Sequence, residues 1–279
     1  MVGFLLLLYN ELPLRYVLLY SIYLFMACGI FFFILLLISR LKKINEKKQL
    51  EKYTAIIDRL FYSVLFGNTP VHNILEAKKY RSIFKDKKFR NMLVQNVTQL
   101  HLNYTGPPRD KLEEFYRKSG LINISFEKLK SKHWEKKCEG IRELTRLNVK
   151  EAFYDTYMCM WHPHDTLKLE ALLGLIRLEG VDGLGIIHDY PDTINDWIQL
   201  NLLYEIDKSD HTAVKSFTDL LTSKNESVVV LGLRLSAKFN QIENLATIRE
   251  LQASSLSGSI KTAAAQALDK LPSAAVYTQ

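Results

Sequence analysis

Between Tyr16 and Ser39 the chain reads YVLLYSIYLFMACGIFFFILLLIS, 24 residues without a charge, bracketed by Arg15 and Arg40. At ~1.5 Å rise per residue, about 20 apolar residues cross the hydrocarbon core of a bilayer. A buried core helix rarely needs so many large apolar residues on every face. The stretch is therefore read as a membrane-spanning helix, residues 16–39. A cleaved signal peptide fits poorly. MVGFLLLLYNELPLR begins apolar rather than basic, the apolar region is too long, and no small-residue cleavage site follows it. The leading MVGFLLLL is too short to cross and is expected to break at Asn10, Glu11 and Pro13, leaving residues 1–15 as a short tail.

Basic residues near the ends of a span set its orientation. Arg15 stands alone on one side; Arg40, Lys42, Lys43, Lys47, Lys48 and Lys52 follow on the other. This bias predicts a single-pass protein with residues 1–15 outside and 40–279 in the cytoplasm; the family resemblance given below implies a bacterial inner membrane. Cysteine usage agrees: Cys28 lies in the span, and Cys138 and Cys159 are isolated, which is no disulfide framework. The Asn-x-Ser/Thr matches at Asn96, Asn103, Asn123 and Asn225 are read as chance.

The remainder carries helical patterning and an internal period of 31 residues. Stepping by 31 gives Trp134, Asp165, Asp196, Ser227 and Gly258. Six residues after each come Gly140, Ala171, Leu202, Leu233 and Ala264; ten after come Leu144, Leu175, Ile206, Ala237 and Leu268. Each step predicts one amphipathic helix. Shorter helices are expected between them at 149–161, 181–190, 211–221 and 242–252. A helix pair of this kind cannot bury its apolar faces alone, so neighbours must stack. The expected fold is all-α: a transmembrane helix, a helical stem over 40–107, an α-α superhelix over 108–271 and a tail over 272–279. Leu121–Ser131 is expected to lengthen the turn of the first pair.

HPHDTLKLEALLGLIRLEGVDGLGII resembles a short HEAT repeat of the bilin-lyase-like type, whose signature falls here on Asp165, Leu167, Lys168, Ala171 and Gly174-Leu175. NESVVVLGLRL and SIKTAAAQALDKL are similar, while Asp192–Asp207 is degenerate at Trp197 and Leu202. The whole layout resembles bacterial membrane-anchored HEAT-repeat proteins. That resemblance implies a scaffold without chemistry of its own, accompanying a partner such as a membrane glycosyltransferase of envelope-polysaccharide synthesis.

In the stem, Leu41–Phe66 has the spacing of an amphipathic helix able to continue the span, and GNTP (67–70) stops it. A second helical region is expected over 73–102, ended by YTGPP (104–108). Within it, KKYRSIFKDKKFR sets Lys78, Lys79, Arg81, Lys85, Lys87, Lys88 and Arg90 against Asp86, interleaved with Tyr80, Ile83, Phe84 and Phe89. Charge is partitioned: residues 40–145 hold 24 Lys/Arg and 12 Asp/Glu, and residues 146–279 hold 12 and 17. An anionic leaflet attracts such residues at about 1 kcal/mol each, so these cations, with Arg40, Lys42, Lys43, Lys47 and Lys48, are candidate membrane-surface contacts. An ordinary solvated face is the plainer alternative. Nucleic acid is not an expected partner, because no nucleic-acid module accompanies the charge.

MCMWHPHD places Cys159, His162, His164 and Asp165 within seven residues. The order is not His-x-His-x-Asp-His, Pro163 prevents a helical His pair, and no Cys-x-x-Cys exists, so neither metal nor cofactor is expected. Di-iron hydroxylases built on HEAT-like repeats use His-Glu pairs, and the chain has no His-Glu dipeptide. His162, Pro163 and Asp165 instead read as a turn between repeat helices, with Asp165 as N-cap accepting from the N–H of Leu167 or Lys168. GLGII and SLSGS lack the surroundings of a phosphate loop or nucleophile elbow. Trp134, Trp161 and Trp197 read first as core, with partner contact as the functional alternative. The sequence favours a non-catalytic adaptor. A repeat-type lyase or hydroxylase and a peripheral anionic-lipid module are the rivals.

Overall fold

A computed structural model describes residues 2–67, 70–208 and 216–271, with the backbone alone for 2–14, 78–79, 182 and 208. The described chain is all helical, and it divides into two compact units, Met1–Tyr62 and Ser63–Gln279. The division falls inside the segment expected as a stem. The expected tail, 272–279, lies outside the described residues.

The first helix, α1, runs unbroken over Val2–Phe66. It contains an 18-residue window of mean hydropathy 2.7, none of it buried, apolar and long enough to cross a membrane. Its stop after Phe66 is where the Gly67 boundary puts it. The expected break at Asn10–Pro13 is absent. Proline removes one N–H donor, and the leucines on both sides of Pro13 are strong helix formers that carry the helix through.

The region expected as one helix over 73–102 is broken. α2 (Val71–Glu76) and α3 (Lys78–Arg81) are separated by extended backbone at Ala77, and a 3-10 turn follows at Ile83–Lys85. The backbone extends again at Asp86, whose carboxylate accepts from the N–H of Lys88 at 2.7 Å and of Phe89 at 3.2 Å. That is an N-cap, and it starts α4 (Lys87–Asn103) afresh. α5 (Pro107–Lys118) follows Gly106, and α6 (Leu121–Leu129) occupies the segment expected to lengthen a turn. Phe89, Leu93, Phe115, Tyr116 and Leu121 are fully buried among these helices.

From Trp134 onward the long helices keep step. They are α7 (Trp134–Arg146), α9 (Asp165–Glu179), α10 (Asp196–Lys208), α12 (Glu226–Lys238) and α14 (Gly258–Lys270), starting 31, 31, 30 and 32 residues apart. Short helical pieces lie between: α8 (Phe153–Met158) flanked by 3-10 turns, a 3-10 stretch at Gly180–Ile187, α11 (Thr218–Leu221) and α13 (Leu245–Ser254). Part of the helix expected over 211–221 lies outside the described residues. α7 packs on α6 and α9, α9 on α10, and α12 on α11 and α14.

The one-residue slip at α12 has a local cause. Asn225 Oδ1 accepts from the Ser227 N–H at 3.0 Å, so the helix begins at Glu226 rather than Ser227. The small-residue column is then Gly140, Ala171, Leu202, Gly232 and Ala264, all buried. α7 and α12 also end alike. Asn148 (φ 51°) and Asn240 (φ 54°) are left-handed, and the next N–H, of Val149 or Gln241, reaches back to Leu144 O or Ser236 O at 2.9 Å. This Schellman geometry favours glycine. Asn148→Gly and Asn240→Gly are each expected to raise the free energy of unfolding by about 0.5–1 kcal/mol, read as a higher thermal midpoint by circular dichroism.

Candidate functional site

The stretch that looked most like chemistry is built as a turn. Cys159 is buried in the 3-10 turn Cys159–Trp161, and burial pushes its thiol up. Cys138 is pushed up to about 11, chiefly by burial and then by Glu170. His162 Nδ1 accepts from the His164 N–H at 3.1 Å, and the His164 ring stacks on Trp134 at 3.6 Å. Asp165 is not the cap: it is the first residue of α9 and 97% exposed at its side chain, and Lys168 lies 3.7 Å away. His164 takes the cap position, its carbonyl accepting from Leu167 and Lys168. The stack on Trp134 fixes the chain one residue earlier than the expected cap. Among the described residues, no three His, Cys, Asp or Glu side chains are grouped to hold a metal.

The tryptophans part company. Trp134 is half-buried, its ring stacked on that of His164. Trp161 is 50% exposed beside a hollow of about 350 Å³ that also takes in Met158, Lys130 and Lys137. Trp197 is 61% exposed and heads a stripe with Leu200 and Tyr204 along α10. That i, i+3, i+7 spacing puts the three on one face. The core reading is therefore corrected for Trp161 and Trp197: among the described residues each keeps half or more of its surface exposed.

Arg40, Lys42, Lys43, Lys47 and Lys48 are exposed on α1. In the second unit Arg81, Lys85, Lys87 and Lys88 are exposed and Arg90 is half-buried; the side chains of Lys78 and Lys79 lie outside the described residues. Tyr80 and Phe89 are buried, and Phe84 meets Phe89 edge to face at 5.8 Å. The expected amphipathicity holds here, with the apolar members turned inward.

The long helices carry a polar system that no motif announced. Arg142 of α7 donates to Glu170 of α9 at 2.6 Å. Arg177 of α9 donates to Glu170 at 2.8 Å and to Glu205 of α10 at 2.9 Å. Arg177, Glu170 and Glu205 are 11%, 10% and 16% exposed at their side chains, so this is a largely desolvated ladder across three helices. Burial alone would raise the Glu170 carboxyl, and the forks of Arg142 and Arg177 more than reverse that, holding it below the ordinary range. Burial likewise opposes the Arg177 charge, and its two glutamates restore it. Several of the contacts between helices share a separation: 28 residues for Arg142–Glu170, Arg177–Glu205 and Gln199–Ser227, and 31 for Lys238–Asp207 and Ser257–Glu226.

Further along, a groove of about 1210 Å³ follows α12 at Ser227, Val230 and Arg234, walled by Asp196 and Gln199 of α10 and by Thr262 and Gln266 of α14. Arg234 reaches Asp196 at 2.8 Å and Gln199 at 2.7 Å across it. Small-molecule pockets hold about 300–1000 Å³ and bury most of their ligand; this groove is larger and open, with polar and apolar side chains both on its walls. No protein-family model, curated protein or solved structure matches the chain.

Proposed function

We propose that this protein is a membrane-anchored helical-repeat adaptor of the HEAT type, holding a partner protein at the cytoplasmic face of a bacterial inner membrane. The observation that carries the reading is the recurrence of cross-helix polar contacts at separations of 28 and 31 residues. Contacts spaced by the sequence period are what stacked repeats produce, and a stack presents a long surface for binding rather than a closed site for catalysis. The groove over α12 and the Trp197–Leu200–Tyr204 stripe supply such a surface. The 24-residue uncharged run, fully available on α1, supplies the anchor, and the basic residues after it supply the orientation. A membrane glycosyltransferase is the partner that the sequence resemblance suggests.

The test is affinity purification of the full chain from membranes in mild detergent, followed by gel filtration. A partner that stays with the full chain in fixed stoichiometry, and is lost when residues 108–279 are deleted, is the expected result. A partner retained equally by residues 1–107, or none above background, overturns the reading.

A further inference from the structure

Tyr154, Met158 and Trp161 each keep half or more of their surface exposed. Tyr154 and Met158 stand four residues apart on α8, about 40° from each other around the helix. From Met158 to Trp161 the chain passes through the 3-10 turn, where side chains three apart eclipse. The three therefore form one row. Beside Met158 and Trp161, the hollow of about 350 Å³ takes its charges from Lys130, Lys137 and Asp155.

No ion pair engages either lysine among the described residues. Asp155 offsets one of them. The His162 ring, which accepts an N–H at Nδ1, is neutral in this arrangement and adds none. All three acids of α7, Glu135, Glu139 and Glu143, lie about 120–160° around that helix from Lys137, and neither they nor Glu127 line the hollow. Glu151, one turn back from Tyr154, is already forked by Arg117 at 2.7 and 3.1 Å. The wall of the hollow is thus left with one positive charge in excess.

A row of Trp, Tyr and Met with lysines beside it suits the boundary between water and lipid. Trp and Tyr rings collect at the level of the headgroups, and lysine extends along its own methylenes to reach the phosphates. Protein interfaces gather the same aromatics but are depleted in lysine. The stripe on α10 differs, because the cations that reach α10 are spoken for: Arg177 by Glu205, Arg234 by Asp196 and Lys238 by Asp207. We propose that the Tyr154–Met158–Trp161 row docks on the surface of an anionic bilayer, with Trp161 among the headgroups and Lys130 and Lys137 against lipid phosphates. This rests on reading α1 as a membrane span, which keeps the chain beside such a surface. It leaves the α10 stripe and the groove over α12 to the partner protein.

The experiment uses the full chain in vesicles of equal parts phosphatidylcholine and phosphatidylglycerol, with bromine on the acyl chains close to the headgroup as quencher. The chain's three tryptophans all lie outside α1, so the span itself is silent. Brominated lipid is expected to quench the wild type. Trp161→Phe is expected to cut that loss of emission at least about threefold, while Trp197→Phe leaves it within about a fifth. Lys130→Gln combined with Lys137→Gln is expected to cut it at least about twofold. All these variants are expected to keep the wild-type thermal midpoint. An unquenched wild type, quenching that survives Trp161→Phe, or quenching that the lysine pair leaves unchanged overturns the inference. Trp161 emission that moves to the blue only when a partner protein is bound also overturns it, and leaves the adaptor reading standing. Quenching as expected in a chain from which no partner co-purifies sinks the adaptor reading alone. A chain that fails to float with the vesicles overturns both.

Discussion

Gly140→Ala is expected to lower the free energy of unfolding by about 3 kcal/mol, the upper end of what overpacking a core costs. On an ordinary helix the same change stabilises by about 1 kcal/mol, because alanine is the better helix former. The sign therefore tests the packing. A Cβ on Gly140 would lie 2.5 Å from Leu129 N, 2.7 Å from Ser125 O and 2.9 Å from Leu129 Cα. All three are backbone atoms of α6, which cannot swing aside as a side chain does, so α6 and α7 must separate. Gly232 occupies the same column on α12, yet its nearest neighbours are side-chain atoms, Leu220 Cβ at 2.9 Å and Leu221 Cδ2 at 3.1 Å. The expected order of damage is Gly140→Ala above Gly232→Ala, read from thermal unfolding followed by circular dichroism in detergent. A Gly140→Ala protein as stable as wild type would mean that α6 and α7 do not approach as described.

The spacing of small and apolar residues carried the 31-residue step that the long helices keep to within one residue, because a repeated amphipathic pattern writes its period directly into the sequence. The step slips by one residue at α12, since the start there is decided by the side chain of Asn225 rather than by the pattern. The turn at His162–Asp165 was legible as a turn, but its cap was not: which residue caps depends on the Trp134–His164 stack, a contact between residues 30 apart. The 73–102 region is legible as helical, but its breaks are not: the start of α4 is decided by the Asp86 carboxylate, which accepts from the N–H of Lys88 and Phe89. The ladder was the least legible feature. Its members are ordinary surface residue types, and only the pairing of α7, α9 and α10 makes Arg142, Glu170, Arg177 and Glu205 a connected system. A signal was present all the same: arginine followed by glutamate 28 residues later, twice, in a chain with a 31-residue period.

Glu170→Gln is expected to cost about 3–5 kcal/mol, the usual result of removing one partner from a buried ion pair. Glu170 is the only ladder carboxylate held by two arginines, at 2.6 and 2.8 Å. Neutralising it leaves Arg177 with Glu205 alone, only 11% exposed and unable to recover its hydration. The effect has a pH signature. The folded-state pKa of Glu170 is depressed: burial would raise it, and the two arginines outweigh burial. A carboxyl depressed on folding contributes stability that is fully present above its unfolded pKa of about 4.3 and is lost as pH falls through the folded value. The wild-type advantage over Glu170→Gln should therefore stay constant from about pH 8 to about pH 5 and shrink below about 4.3, because acid protonates Glu170 and makes the wild type resemble the variant. Replacing Arg142, Glu170, Arg177 and Glu205 together by apolar residues of similar size is expected to cost far less than Glu170→Gln, since the charges then leave as a set. Thermal midpoints of the three proteins across that pH range decide the matter. A gap between wild type and Glu170→Gln that persists unchanged to pH 3, or one below about 1 kcal/mol at neutral pH, would show that water rather than Glu170 neutralises these arginines.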